Sequence, residues 1–164
     1  MVMKRESGNT ALIWALAFGA GVALCGMGIR FWCGSPNTGI TQMGIRELIP
    51  PVWLMSLLWM LWYFLLGAVL GAILYAYGRN CIGAWRGAFF FLLMIFVGFL
   101  WYPLFFVKQQ LVLSLLVIVV AAGLCAVCAL HWQCLSLGAG VVLWLHLLWM
   151  LYMLILQTVC LLNV

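Results

Sequence analysis

Long apolar runs broken by brief polar interruptions set the expected architecture of the chain. The runs fall at Thr10–Phe31, Pro51–Tyr77, Gly87–Val107, Leu111–Trp132 and Gly138–Leu162. Each supplies the roughly 20 residues that an α-helix needs to cross a hydrocarbon core. None alternates polar and apolar positions as barrel strands do, so helices that close their backbone hydrogen bonds internally are predicted. The expected fold class is an all-α integral membrane protein, a five-transmembrane-helix bundle forming a single domain over residues 1–164. The connectors are short except the first, 32–50, which carries Pro36, Asn37, Gly39, Thr41, Gln42 and Gly44. Its end, Met43 to Ile49, reads as a turn of amphipathic helix lying across the bundle mouth.

Composition strengthens this reading. The chain is 70% hydrophobic and 5% charged, whereas a soluble domain carries about a quarter of its residues as Asp, Glu, Lys and Arg. Disorder is excluded by the same figures. Seven Lys and Arg are too sparse for a nucleic-acid surface, so no nucleic-acid partner is expected and they read as membrane-edge anchors. Lys4, Arg5, Arg79 and Arg86 gather on the amino-terminal side against Arg30, Arg46 and Lys108 on the other, which favours an inside amino terminus. Glu6 and Glu47 both lie outside the runs, leaving no carboxylate for an intramembrane proton relay. Lys4 and Arg5 precede an apolar run, as in a signal peptide, but that run is longer than a usual signal core. Leu24 also occupies the small-residue position that a lipoprotein cleavage site needs before Cys25, so a retained first helix is expected.

Candidate chemistry is thin. Cys25, Cys125, Cys128 and Cys160 sit in apolar runs and read as small hydrophobes, with Cys33 and Cys81 in connectors. The ladder Cys125-x-x-Cys128-x-x-His131-x-x-Cys134 has metal-ligand residue types. On a helix each three-residue step rises about 4.5 Å and turns about 300°, so the four groups do not converge on one ion. A packed cluster at the membrane edge is expected, and no metal site. The ladder is not a c-type haem site either, because Ala129 follows the second Cys. His146 lies within the fifth run, with Trp149 on its face and Gln157 three turns along. It reads either as a neutral imidazole bonded to a neighbouring helix or as a polar contact, even an axial ligand, for a bound tetrapyrrole.

Ten Trp are the remaining anomaly. Trp14, Trp32, Trp85 and Trp132 stand near run ends as interface anchors. Trp59, Trp62, Trp101, Trp144 and Trp149 fall within runs, where inward indoles would build a cavity for a flat hydrophobic ligand and lipid-facing ones would only pack. Gly67-x-x-x-Gly71, overlapping Ala68-x-x-x-Ala72, permits close helix packing, either within the chain or across a homodimer face. On the first helix Gly19, Ala23 and Met27 share a face, with Gly26 nearby.

The stretch Pro50-Pro51-Val52-Trp53, with Trp59, Tyr63 and Gly67 following, resembles the second-helix signature of the TspO/MBR family, the tryptophan-rich sensory and translocator proteins. Leu100-Trp101-Tyr102-Pro103-Leu104-Phe105-Phe106 is similar to its third-helix pattern, and Gly28-x-Arg30-Phe31 to the end of its first helix. Leu147-Leu148-Trp149 followed by Leu156-Gln157 resembles its fifth helix. The chain departs from the pattern at several places. Gly39-Ile40 and Ile45-Arg46 stand for loop Trp-Tyr and Lys-Pro, Gly98 for an Asn, Ser114 for an acid, Leu145-His146 for Pro-Tyr, and Gln157 for an Asn. No Arg or Lys follows Tyr152, so the cholesterol motif of animal members is lacking. A divergent bacterial member is expected.

The resemblance implies a membrane receptor or sensor, often a homodimer, that binds porphyrins or other flat hydrophobes such as sterols, and in some members benzodiazepine-type drugs, acting in their transport or in stress regulation. Its pocket would lie beneath the first loop. Carried over by position, the ligand-binding residues are Ile29, Trp53, Met55, Trp59, Trp101, Trp149, Met153 and Leu156, with His146 and Gln157 as polar members. Trp59 and Trp149 would flank the ligand. A porphyrin or haem-type tetrapyrrole is then a ligand, not an obligatory cofactor, and the other partners are membrane lipid and a second copy of the chain. No catalytic residue is assigned. The competing readings are porphyrin breakdown driven by pocket Trp chemistry, and a partner-binding membrane subunit without ligand.

Overall fold

A computed structural model describes residues 2–33, 50–77 and 81–162, and the first loop with its Met43–Ile49 turn, Arg46, Glu47 and Arg79 lies outside them. Five helices follow in order: α1 (Val2–Cys33), α2 (Val52–Tyr77), α3 (Ile82–Tyr102), α4 (Leu111–Gln133) and α5 (Leu137–Leu162). Each contains a stretch long and apolar enough to cross a membrane, with that of α1 running from Gly8 to Cys33. The protein is an integral, multi-pass membrane bundle.

Two boundaries differ from the sequence expectation. Helix α1 continues outward to Val2, because nothing in the polar first turns forbids helix beyond the span. Helix α3 starts at Ile82 and not near Gly87, directly after Cys81 adopts an extended conformation at φ −134°. Its far end changes character at Pro103, where Pro103–Val107 forms one π-helical turn closed by Lys108 N–H donating to Pro103 O at 3.0 Å. Gln109 then takes a left-handed φ of 51°, reversing the chain into α4.

The helices form two close-packed groups. Helices α1 and α2 approach along their length, as do α3 with α4 and α4 with α5, whereas α2 meets α3 and α5 over much less of its backbone. Lipid tails are as apolar as Leu, so helices join in a bilayer through close fit and polar pairs. The α1–α2 fit is set by glycine. A Cβ on Gly67 would strike the Phe18 carbonyl, one on Gly71 would come within 2.5 Å of the Trp14 carbonyl, and one on Gly19 within 2.9 Å of the Phe64 carbonyl. The Gly67-x-x-x-Gly71 motif therefore packs within the chain, against α1.

Trp132 corrects the expectation of an interface anchor. It is fully buried, stacked on Phe91 at 5.1 Å and 23°, with its indole edge against Gly87. Trp32 and Trp85 are exposed at helix ends as expected, while Trp14 is partly covered by stacking on Phe18. The cysteine ladder also splits. Cys125 and Cys128 are buried, donating to Leu143 O and Gly87 O, whereas His131 and Cys134 are exposed.

Substituting Gly71→Val is expected to destabilise the fold in detergent by about 1–3 kcal/mol, as overpacking does. Gly21→Ala, whose Cβ meets nothing within 4 Å, is expected to preserve or raise stability. Thermal unfolding followed by circular dichroism checks both.

Candidate functional site

The aromatic residues of the spans meet where the two helix groups face each other. Trp59 of α2 stacks on Trp101 of α3 with ring centroids 5.7 Å apart and planes at 29°. It also meets Trp149 of α5 edge-on, at 5.9 Å and 80°. Tyr63, one turn further along α2, extends the row from Trp59 at 5.6 Å to Phe99 at 5.2 Å. On the other side of Trp101 the row continues onto Phe105 at 5.1 Å and 14°. The π-helical turn that Pro103 opens is what brings Phe105 and Phe106 round to face Trp101.

Trp101 is held from behind by a polar cluster. Its indole N–H donates to Gln157 Oε1 at 2.8 Å, in a buried position. Gln157 Nε2 donates in turn to the Leu111 carbonyl at 2.9 Å and to Ser114 Oγ, and Ser114 O–H donates to the Leu111 carbonyl at 3.0 Å. Ser114 and Gln157, two positions marked in the sequence only as departures from a family pattern, thus bond each other across α4 and α5.

Two voids border this aromatic row and share Trp59, Tyr63 and Trp101 as a common wall. The first lies between α1, α2 and α3 and is also lined by Gly26, Ile29 and Arg30. Arg30 hydrogen-bonds the Tyr102 side chain there, linking α1 to α3. The second lies at mid-span between α2 and α3–α5, with Met94, Gly98, His146 and Met150 among its walls. Gly98 leaves this space open, since a Cβ there would meet nothing within 4 Å. Each void offers the centre of a water molecule only about 20 Å³, room for one or two small atoms and not for a macrocycle.

The expected site residues are distributed unevenly over this geometry. Trp59, Trp101, Trp149, Met55, Met153 and Leu156 pack in one cluster, and Gln157 bonds Trp101 within it. Ile29 lines the first void and His146 the second. Trp53 stands apart, 69% exposed at the start of α2. Trp59 and Trp149 touch each other, so in this conformation they do not flank a gap. His146 is 2% exposed, 5.1 Å from the Trp62 ring, and its Nδ1 has no hydrogen-bond partner. Trp149 Nε1 is buried without a partner as well. Sequence reasoning passed over Tyr63 and Met94 as site residues. Tyr63 stands one turn after Trp59, a usable signal, whereas Met94 carries none.

The profile of the TspO/MBR family matches residues 22–162. No curated protein and no solved structure matches the chain.

Replacing Gln157 with Leu orphans the Trp101 N–H and removes the tie to α4, at an expected cost of about 1–2 kcal/mol. A double-mutant cycle with Trp101→Phe should return a coupling of at least about 0.5 kcal/mol. Additive losses in detergent unfolding would show that the bond contributes nothing.

Proposed function

From the premise that the chain belongs to the TspO/MBR family, we propose that it is a membrane receptor for flat hydrophobic ligands, tetrapyrroles first among them, received along the Trp59–Trp101–Trp149 row. Family membership supports a sensor- or transporter-type role in the membrane. The single observation that carries the ligand class is three indoles from three helices meeting at one seam, with their polar edges partly unused. A flat π-system gains both dispersion and ring-quadrupole attraction from such a surface.

Fit sets the mechanism. The voids are too small for a macrocycle, so the ligand enters by parting the seam, with its own ring taking the place of indole–indole stacking. The α1–α2 group moves as a unit because its glycine contacts are backbone-deep, and the α3–α5 group is held together by the Gln157 cluster. The orphan N–H of Trp149 is a donor for a ligand oxygen or nitrogen, and a bound tetrapyrrole stabilises the parted state by its preference for it. Occupancy is thereby reported as a change in the angle between the two groups. Ile29 lines the void beside Arg30 on the last turns of α1, so the same movement reaches the carboxyl end of that helix.

Titrating protoporphyrin into the purified protein should quench Trp emission in a saturable manner. In a Trp59→Phe/Trp149→Phe variant the affinity should fall about tenfold, equivalent to about 1.4 kcal/mol. Quenching as strong and as tight in that variant as in the wild type would overturn the assignment of the row as the site.

A further inference from the structure

The mid-span void gathers a second kind of chemistry, separate from the flat aromatic surface. Met94 on α3 and His146 and Met150 on α5 are among the residues that line it. His146 and Met150 are four residues apart and lie one above the other on the same helix face, and Met94 comes from another helix across the void. All three are buried, at 1%, 2% and 7% exposure for Met94, His146 and Met150. His146 Nδ1 has no hydrogen-bond partner, an expensive condition for an imidazole removed from water. Trp59 and Trp101 line the void as well.

We propose that this void is a binding site for a single copper(I) ion, held by the His146 imidazole and the thioethers of Met94 and Met150. The donor set selects the metal. Thioether sulfur favours soft cations such as copper(I), and imidazole suits copper too. Magnesium and calcium need oxygen ligands, and among the residues lining the void there is no carboxylate to supply them. Zinc sites draw on thiolate, imidazole and carboxylate, and the nearby buried thiols are engaged elsewhere: Cys125 donates to Leu143 O and Cys128 to Gly87 O.

Size and charge agree with this choice. About 20 Å³ for the centre of a water-sized atom admits an ion but leaves no room for a full hydration shell. A single positive charge in a low-dielectric site costs much less than a double one. Methionine is also a common gap-filler, and in that role Leu would replace it with little effect. The two readings therefore separate on whether the thioethers respond to a soft ion. The site goes beyond the receptor reading and does not depend on it, since it needs no parting of the seam.

The test uses the full chain in detergent micelles, with its methionine methyls labelled with carbon-13 and its accessible thiols capped with N-ethylmaleimide. Silver(I) serves as a redox-inert probe for copper(I). The Met94 and Met150 methyl resonances are identified by their disappearance in Met94→Leu and Met150→Leu, both volume-conserving changes. One equivalent of silver(I) should shift those two resonances, with zinc(II) shifting neither, and His146→Leu should weaken the response at least tenfold. Resonances of Met94 and Met150 that stay fixed at several equivalents of silver(I) in the wild type would overturn the proposal, whether or not His146→Leu folds. An unchanged response in a folded His146→Leu variant would remove the imidazole from the site and overturn it equally. Protoporphyrin binding, measured separately, bears on the receptor reading alone.

Discussion

The hydrogen bond from the Trp101 indole to Gln157 decides which way the central aromatic surface faces. In a bilayer an apolar side chain gains little by turning from lipid to protein. An indole therefore turns inward either by close fit, as Trp132 does on Phe91 with its N–H unpaired, or by a polar pair. A polar pair orients Trp101, whose N–H would otherwise have no water to fall back on in hydrocarbon. Gln157 meets that need for Trp101 and spends its amide donors on the Leu111 carbonyl and Ser114. One side chain thereby joins α3, α4 and α5 and fixes the ring that Trp59 stacks upon. Lengthening or shortening that amide would turn the ring and dissolve the common wall of both voids.

The second group is built on the opposite principle. Gly67 and Gly71 bring α2 against the backbone of α1 so closely that no side chain fits between them. Between the two groups large rings hold the backbones apart, and the voids lie there because rings of fixed shape do not fill every gap. The seam is tied at both ends, by Tyr77 O–H donating to Leu135 O at 2.6 Å and by the Arg30 hydrogen bond to Tyr102. A bundle assembled from two stiff halves with ties at the rims is suited to opening along one line, where contacts are weakest and most aromatic.

How much of this was legible in the sequence follows from what one dimension encodes. Run length alone located the five spans, since crossing a bilayer is a length condition. The rotation of each helix was not legible, because nearly all faces are apolar: Trp132 sits at a run end, as an anchor would, yet turns inward onto Phe91. Trp53 shows the reverse, carried over as a pocket residue and found largely exposed. The Gly67–Gly71 spacing announced a close approach but not its partner. Ser114 and Gln157 were visible separately as departures, and their pairing is a tertiary fact that no spacing along the chain reveals.

The mid-span void rests on a related pair of departures, Gly98 and His146. Gly98 withholds a side chain from a place where a Cβ would meet nothing within 4 Å, and His146, whose Nδ1 has no hydrogen-bond partner, lines the same space. Either change alone is easily explained, a glycine as slack packing and a histidine as a bonded core residue. Together they put a missing side chain and a buried histidine with an unpartnered nitrogen in the walls of one apolar space. In a chain with no carboxylate in its apolar runs, this is the one buried ionisable nitrogen beside a void among the described residues. A side chain at position 98 would take up part of the void that His146 also lines, so the glycine and the histidine border one space.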